Sequence, residues 1–568
     1  MLLLLTLLVP LVFALLLCAV PSGKTGLHKT LATVGSVVAF GVSLALWFSF
    51  DKTNPGFQFT TNWMWIPSLD IGFRLGIDGM SLLMVVLTTF IFPIAIIASY
   101  DSIRDRQKMY YIMILLLQFG LLGVFVSLDT FLFYIFWEVV LIPMYFLIGI
   151  WGGKDRIYAA MKFFLYTMAG SLLMLVAIIY LGQYGQNGGF TGDMQKLMTI
   201  APTIPMDAQQ WLFLAFALSF CIKVPLFPLH TWLSDAHTQA PTAGSVILAG
   251  VMLKMGTYGL IRFNLQLFPQ ASLHYADLIA VLSVIGIIYG ALVAMVQTDI
   301  KKLVAYSSVA HMGFVTLGIF SMTAEGVQGA VLQMVNHGLS TGMLFLLIGV
   351  IYERRHTREM SEFGGLAKSM PVYATFFFIA VLASVGLPGL NGFVGEYLTL
   401  IGAYLSDHLG SKLYAVVAAS GVILAAVYLL ILFQKMFFGP LAKSENSTLK
   451  DLTGREIGMF VPIVILCLWI GFQPNTFLSV SETSSRAVVG VIEGLKGENR
   501  YADVAAARLN PNAPPKPVPV QGMENMKIAP PGTPLPPSPV PMPSSTKEPI
   551  RVKVPAGGGQ VQLPPPKR

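Results

Sequence analysis

About fourteen apolar runs of roughly 20 residues divide this chain, and they limit its possible folds more than any other feature. Roughly 20 apolar residues make a helix that crosses the hydrocarbon core of a bilayer. Only 11% of the residues are charged and 55% are hydrophobic, which excludes a soluble enzyme of this size. Strand-period alternation is weak, so we predict an all-α polytopic membrane protein rather than a membrane barrel. The runs cover 2–20, 31–50, 80–99, 110–128, 131–150, 160–181, 212–234, 241–263, 276–297, 303–321, 327–352, 372–404, 413–438 and 457–478.

The sequence predicts no cofactor, metal or nucleic-acid site in this chain. Its three cysteines, Cys18, Cys221 and Cys467, are far apart in apolar runs, and no Cys/His spacing suits zinc or an iron–sulfur cluster. No glycine-rich nucleotide motif follows a strand. The formal charge of +8 lies mostly after Ser485, so it does not indicate nucleic acid as a partner of the main body.

The basic residues predict how the chain is oriented, because cytoplasmic loops carry an excess of Lys and Arg. Such residues collect in alternate loops, whereas the opposite loops hold few. We therefore predict a multi-pass protein with both termini on the outer side of the membrane. We expect that membrane to be a bacterial inner membrane, in which the outer side is the periplasmic side. The loops predicted to be cytoplasmic contain Lys24, Lys29, Arg104, Arg106, Lys108, Lys154, Arg156, Lys301, Lys302, Arg354, Arg355, Arg358, Lys368, Lys443, Lys450 and Arg455.

Two interrupted runs and a weak internal similarity predict two inverted five-helix repeats. The segment near Tyr166 is similar to that near Asn336, about 170 residues later, and five spans separate them, which inverts the second copy. Helix breakers interrupt one run at 221–228 and another at 386–392. An offset of about 163 residues between the two copies aligns their prolines, whereas an offset of about 173 residues aligns their ionisable residues. The sequence does not decide between these two registers. The predicted segments are 1–109 with three helices, repeats at 110–267 and 268–440, a last helix at 441–484, and a proline-rich disordered tail or docking arm at 485–568.

Ionisable residues inside the apolar runs are the candidate functional residues. Each costs at least a few kcal/mol near the middle of a bilayer, so each needs a partner or a function. Static ion pairing or a hydrogen-bonded core histidine remains the structural alternative for them. The candidates are Glu138, Lys223, Lys254, His311, His337 and Glu396.

Three stretches resemble the proton-translocating, antiporter-like subunits of complex I, the proton-pumping NADH:quinone oxidoreductase. They are 223–246 (KVPLFPLHTWLSDAHTQAPTAGSV), 305–313 (AYSSVAHMG) and 386–396 (GLPGLNGFVGE). The resemblance covers about residues 70–475. The acid Glu396 favours the M branch of that family, because the L and N branches and the Mrp antiporters typically have lysine there. The proline-rich tail departs from the family pattern.

The resemblance implies a function and a role for each candidate. Glu138 and Lys223 would be the coupled pair of a first half-channel, and Lys254 the central relay. His311 and His337 would bridge onward to Glu396, the exit residue. NADH, FMN, iron–sulfur clusters and quinone would be bound by other subunits, and the partners would be other membrane-arm subunits, especially L and N. The chain would therefore be an enzyme subunit without a redox site of its own.

Three alternatives remain at this point. The first is a stand-alone cation/proton antiporter subunit of the Mrp type, against which Glu396 argues. The second is the related membrane-bound hydrogenase family. The third is a structural spacer, which would tolerate neutral replacement of Glu138, Lys223, Lys254 and Glu396.

Overall fold

A computed structural model describes residues 1–185, 189–441 and 443–495, together with Ala506 and Arg508. All of these residues belong to one compact unit, Met1–Pro515. In chain order the helices and strands are α1 (Leu2–Ala19), α2 (Thr25–Ser49), β1 (Gln58–Ile66), β2 (Ile71–Ile77), α3 (Gly79–Ala98), α4 (Gln107–Val126), α5 (Thr130–Val139), α6 (Leu141–Trp151), α7 (Arg156–Gly182), α8 (Met194–Ile200), α9 (Met206–Lys223), α10 (Thr231–Gln239), α11 (Thr242–Ile247), α12 (Leu253–Gly259), α13 (Pro269–Met295), α14 (Ile300–Phe320), α15 (Ala324–Arg355), α16 (Leu366–Ser369), α17 (Pro371–Val385), α18 (Asn391–Leu405), α19 (Leu413–Phe437), α20 (Gly454–Phe472) and α21 (Asn475–Leu495).

Within the described ranges, twelve helices are long and apolar enough to cross a membrane. Two of the twelve combine shorter elements: α5 with α6 over Thr130–Trp151, and α11 with α12 over Thr242–Leu265. The helical membrane architecture predicted from the apolar runs is thus confirmed. The sequence predicts fourteen spans, two more than these twelve. The difference is the two interrupted runs, 212–234 and 372–404, which the structure divides into shorter helices.

Both predicted interruptions lie where the helix breakers are. The first separates α9, which ends at Lys223, from α10, and the second separates α17 from α18. Gly386 has a φ of +80° and Gly389 a φ of +94°, a backbone region that favours glycine. The two breaks therefore have a local cause in the sequence, whereas the inverted repeat and its register stay predictions.

The innermost helices carry the central candidate residues. The apolar windows of Thr242–Leu265 and of α15 are completely buried within the chain, in contrast to α1 and α2, whose windows are one-third buried. Two π-helical turns, Leu248–Met252 and Leu260–Leu265, flank α12. Such turns are frequent at functional sites because they disturb the regular backbone hydrogen bonding.

A β-hairpin joins α2 to α3, a feature that the all-α prediction did not include. Strands β1 and β2 are antiparallel, and Arg74 of β2 lies 2.8 Å from a carboxylate oxygen of Asp129 and 2.6 Å from one of Asp70. Asp129 also accepts hydrogen bonds from the backbone N–H groups of Phe131 and Leu132, and so caps α5. The hairpin is thereby fixed to the end of the span that carries Glu138.

The predicted start of the tail at Ser485 needs correction, because it lies inside α21. This helix continues to Leu495, packs against α3 and α15, and buries Val488, Val489 and Ile492. Its polar face prevented its recognition as an apolar run. The predicted disorder of the proline-rich part lies outside the described residues.

Beyond α21, the side chain of Arg508 reaches the buried N-cap residue of α3, Asp78. Asp78 pairs with Arg262 at 2.8 Å through one carboxylate oxygen and with Arg508 through the other. Arg508 also donates to the carbonyl oxygen of Ser484 at 3.3 Å. Burial opposes ionisation of Asp78, but the two guanidinium groups outweigh it and hold the pKa of this carboxyl below its usual range. We call Asp78, Arg262 and Arg508 the Asp78 cluster.

We expect Arg508→Gln to destabilise the folded chain, because Asp78 then loses a charge-assisted hydrogen bond in a buried position. The expected loss is about 1.5–3 kcal/mol, to be measured as a lower unfolding temperature of the purified full-length chain. Truncation after Asn510, which removes the proline-rich part and keeps Arg508, is the matched control and should leave the unfolding temperature unchanged. Equal unfolding temperatures for Arg508→Gln and the wild type would contradict this prediction.

Candidate proton-transfer site

Lys254 is fully buried on α12. Its Nζ atom donates to the carbonyl oxygen of Ala249, inside the first π-helical turn, and lies 2.7 Å from Nδ1 of His337 on α15. A buried amine needs such partners, because an unpaired one is strongly disfavoured in an apolar interior. The structure thus brings two of the predicted candidates into direct contact.

His337 leads on to two further candidates. The ring centroids of His337 and His311 are 6.0 Å apart, and Nδ1 of His311 lies 2.7 Å from a carboxylate oxygen of Glu396. All three side chains are 2–3% exposed. Lys254, His337, His311 and Glu396 therefore form one buried row of titratable groups across α12, α15, α14 and α18, which we call the central row.

Neutral polar side chains, which are not among the predicted candidates, hold the end of the central row. Gln333 donates from Nε2 to the same oxygen of Glu396 at 3.0 Å. The hydroxyl of Tyr428 lies 3.4 Å from Nε2 of His311. Gln333 precedes His337 by four residues on α15, so their helical spacing was the available signal.

A second pair of amides ties the broken helix to α15. Asn336 donates to the carbonyl oxygen of Asn391 at 2.7 Å, and Asn391 donates back to the carbonyl oxygen of Asn336 at 3.3 Å. A Cβ atom at Gly395 would come within 2.4 Å of the amide oxygen of Gln333, so glycine permits the close approach of α18. The interruption before Asn391 thus positions Glu396 against His311.

Glu138 and Lys223 do not belong to the central row. Nζ of Lys223 lies 5.4 Å from the ring centroid of Trp137 and 5.3 Å from that of Phe163, a cation–π arrangement. Among the described residues, Nζ of Lys223 and Oε1 of Glu138 are buried without a hydrogen-bond partner, and no ion pair within 4.0 Å joins the two side chains. The two groups predicted as a coupled pair are thus not in contact here.

Comparisons with known proteins assign this chain to a family. Residues 127–435 match the family "NADH:quinone oxidoreductase/Mrp antiporter, TM", and residues 4–124 match "NADH-ubiquinone oxidoreductase chain 4, amino terminus". The chain is 49% identical over 458 residues to NADH-quinone oxidoreductase subunit M of Rhodobacter capsulatus, covering 79% of this chain and 87% of that protein.

The chain belongs to the NADH-quinone oxidoreductase subunit M (chain 4) family. The predicted M branch is thereby confirmed.

Solved structures agree with membership of the subunit M family. A chain of respiratory complex I from Thermus thermophilus with bound NADH matches with a TM-score of 0.78 and 33% identity, over 87% of this chain and all of that chain. A chain of the Mrp complex from Dietzia sp. DQ12-45-1b matches with a TM-score of 0.74 over 85% of this chain and 97% of that chain. Its identity of 21% shows a shared fold alone.

In the described ranges of this chain, no group of three or more His, Cys, Asp or Glu side chains is arranged to hold a metal ion. Titratable groups inside the helices include the central row, Glu138 and Lys223. This arrangement suits the transfer of protons between neighbouring side chains, which requires donors and acceptors within hydrogen-bond reach or linked by water.

Proposed function

We propose that this chain moves protons across the membrane as a membrane-arm subunit of a respiratory NADH:quinone oxidoreductase. The observation that carries the proposal is the central row, in which Lys254 contacts His337 and His311 contacts Glu396, both at 2.7 Å. The identity of 49% with a subunit M relative, against 21% with the Mrp chain, favours this function over a stand-alone antiporter.

In the proposed mechanism the proton passes along the central row. The two direct contacts permit transfer from Lys254 to His337 and from His311 to Glu396. The intervening step between the two imidazoles, whose centroids are 6.0 Å apart, requires either a ring movement or one bridging water. Glu396 then releases the proton beyond the second broken helix.

Lys223 supplies the proton, and Glu138 controls its release. A carboxylate that approaches the buried amine stabilises its cation, and withdrawal of the carboxylate favours deprotonation. Opening such a contact from about 4 to 8 Å changes the interaction by about 2 kcal/mol at an effective dielectric constant near 20. Lys223 is the last residue of α9, so movement at the break after α9 alters the separation of Lys223 from Glu138.

The partners of this chain are other membrane-arm subunits, in particular the L and N types, and the lipid bilayer. NADH, FMN, iron–sulfur clusters and quinone are bound by other subunits, so electron transfer takes place outside this chain. The driving movement at α9 is transmitted from a neighbouring subunit.

We place the chain in a bacterial inner membrane because of its likeness to a bacterial subunit M, and both termini in the periplasm because of the loop charges. A reporter enzyme that folds only in the periplasm should be active when fused after Arg568. The same reporter inserted after Lys154, in a basic loop, is the matched control and should be inactive. Activity in the reverse pattern would overturn the orientation.

The function is tested with the assembled complex in sealed vesicles, in which NADH oxidation should acidify one side. A protonophore should abolish the pH gradient, whereas removal of sodium should leave it unchanged. Sodium-dependent pH changes without NADH, produced by this chain alone, would instead support the antiporter.

A further inference from the structure

A basic cavity lies at the ends of α1, α2 and α4 that the loop charges place on the cytoplasmic side. Its volume is about 500 Å³, and Arg104, Arg106 and Lys108 line it. Its lining residues include neither Lys223 nor any member of the central row. We call it the α4 cavity.

The three basic side chains of the α4 cavity are not neutralised by ion pairs. Among the described residues, none of them has a carboxylate within 4.0 Å. The nearby acid Asp101 is paired with Arg455, whose hydrogen bond lowers the pKa of the Asp101 carboxyl, and the more distant charges of Lys29 and Arg104 lower this pKa further. The one remaining acid of the loop, Asp105, leaves an excess of positive charge at the opening.

The other wall of the α4 cavity is apolar. Met109, Ile112 and Met113 follow the basic residues along α4, on a helix that the apolar runs place in the membrane. Lys108 donates to the carbonyl oxygen of Cys18 near the end of α1 at 2.8 Å. This hydrogen bond links α4 to α1. The cavity itself presents cations at one end and apolar side chains at the other.

We propose that the α4 cavity binds an anionic phospholipid, with its phosphate between Arg104 and Arg106 and an acyl chain along Ile112 and Met113. Basic pockets between membrane helices on the cytoplasmic side suit such headgroups. The start of α4 supports this assignment, because no side chain caps its free N–H groups at Gln107 and Lys108. A soluble anion would leave the apolar wall without a partner. The lipid would fasten α1 and α2, whose apolar windows are only one-third buried, to the rest of the chain.

The full-length chain, purified in a neutral detergent, is titrated with phosphatidylglycerol, with phosphatidylcholine and with inorganic phosphate. Binding is measured by native mass spectrometry, and stabilisation by the unfolding temperature. Phosphatidylglycerol should bind in preference to the other two and raise the unfolding temperature. The variant Arg104→Gln/Arg106→Gln should bind it at least about tenfold more weakly, because each cation near an anionic surface contributes about 1 kcal/mol.

The matched control is Lys154→Gln/Arg156→Gln, which removes two exposed cations from another loop of the same side. It should bind phosphatidylglycerol as the wild type does. Both variants should share the wild-type unfolding temperature without lipid, which verifies that they are folded. Equal affinity of the two variants for phosphatidylglycerol would overturn the proposal, as would equal binding of inorganic phosphate and phosphatidylglycerol to the wild type.

Discussion

Replacement of Lys223 by arginine is expected to abolish proton translocation by this chain while leaving the complex assembled. The guanidinium group keeps a positive charge and also favours aromatic faces, so we expect its contacts with the rings of Trp137 and Phe163 to remain. It does not deprotonate at any accessible pH, and therefore cannot pass its proton towards Lys254. Because pumping and electron transfer are coupled, NADH oxidation should slow as well, by at least about tenfold.

The measurement is the number of protons translocated per NADH oxidised by the assembled complex in vesicles. Lys162→Arg is the matched control: Lys162 lies on the neighbouring helix α7 and pairs with Asp235 at 2.7 Å, an ion pair that arginine preserves. Wild-type stoichiometry and rate in the Lys223→Arg complex would show that Lys223 never releases its proton, and the proposed mechanism would be wrong.

At the other end of the central row, Glu396→Gln should reduce proton translocation more strongly than Glu396→Asp. Glutamine has the shape of glutamate and can still accept a hydrogen bond from Gln333, but it has no titratable group. Aspartate keeps the titratable group one methylene farther from His311, whose Nδ1 is 2.7 Å from the native carboxylate. We expect a loss of at least about tenfold for glutamine and a much smaller loss for aspartate.

The control for Glu396 is Glu482→Gln, which removes a partly exposed carboxylate of α21 that pairs with Arg486 within one helix. Its pumping should equal that of the wild type. The ordering of the two Glu396 variants is decisive, since a purely structural carboxylate would tolerate glutamine better than the shorter aspartate. Equal pumping by Glu396→Gln and the wild type would remove Glu396 from the proton path.

The sequence predicts those features of this molecule that the membrane makes energetically distinctive. Apolar runs locate the helices, because only a helix satisfies its own backbone groups in a membrane. Pro225, Pro228 and Gly386 locate both interruptions, because they break the regular backbone hydrogen bonding within such runs. A charge within an apolar run is equally distinctive, and four of the six candidates do meet in the central row.

Neutral groups and distant contacts leave no such signal. Gln333 and Tyr428 are ordinary polar residues in sequence, and their roles depend on which helices become neighbours. The separation of Lys223 from Glu138 depends on side-chain packing between Trp137 and Phe163, which no spacing rule predicts. The polar face of α21 hid that helix, because its burial is set by α3 and α15.

The Asp78 cluster also has a consequence for the biosynthesis of this chain. Asp78 and Arg508 are 430 residues apart, so their contact forms only when nearly the whole polypeptide has left the ribosome. A nascent chain that ends before Arg508 can already contain every described helix through α21, yet its Asp78 is paired with Arg262 alone. A chain that ends before Arg508 thus lacks the second arginine, and one oxygen of the buried Asp78 carboxylate loses its charged partner.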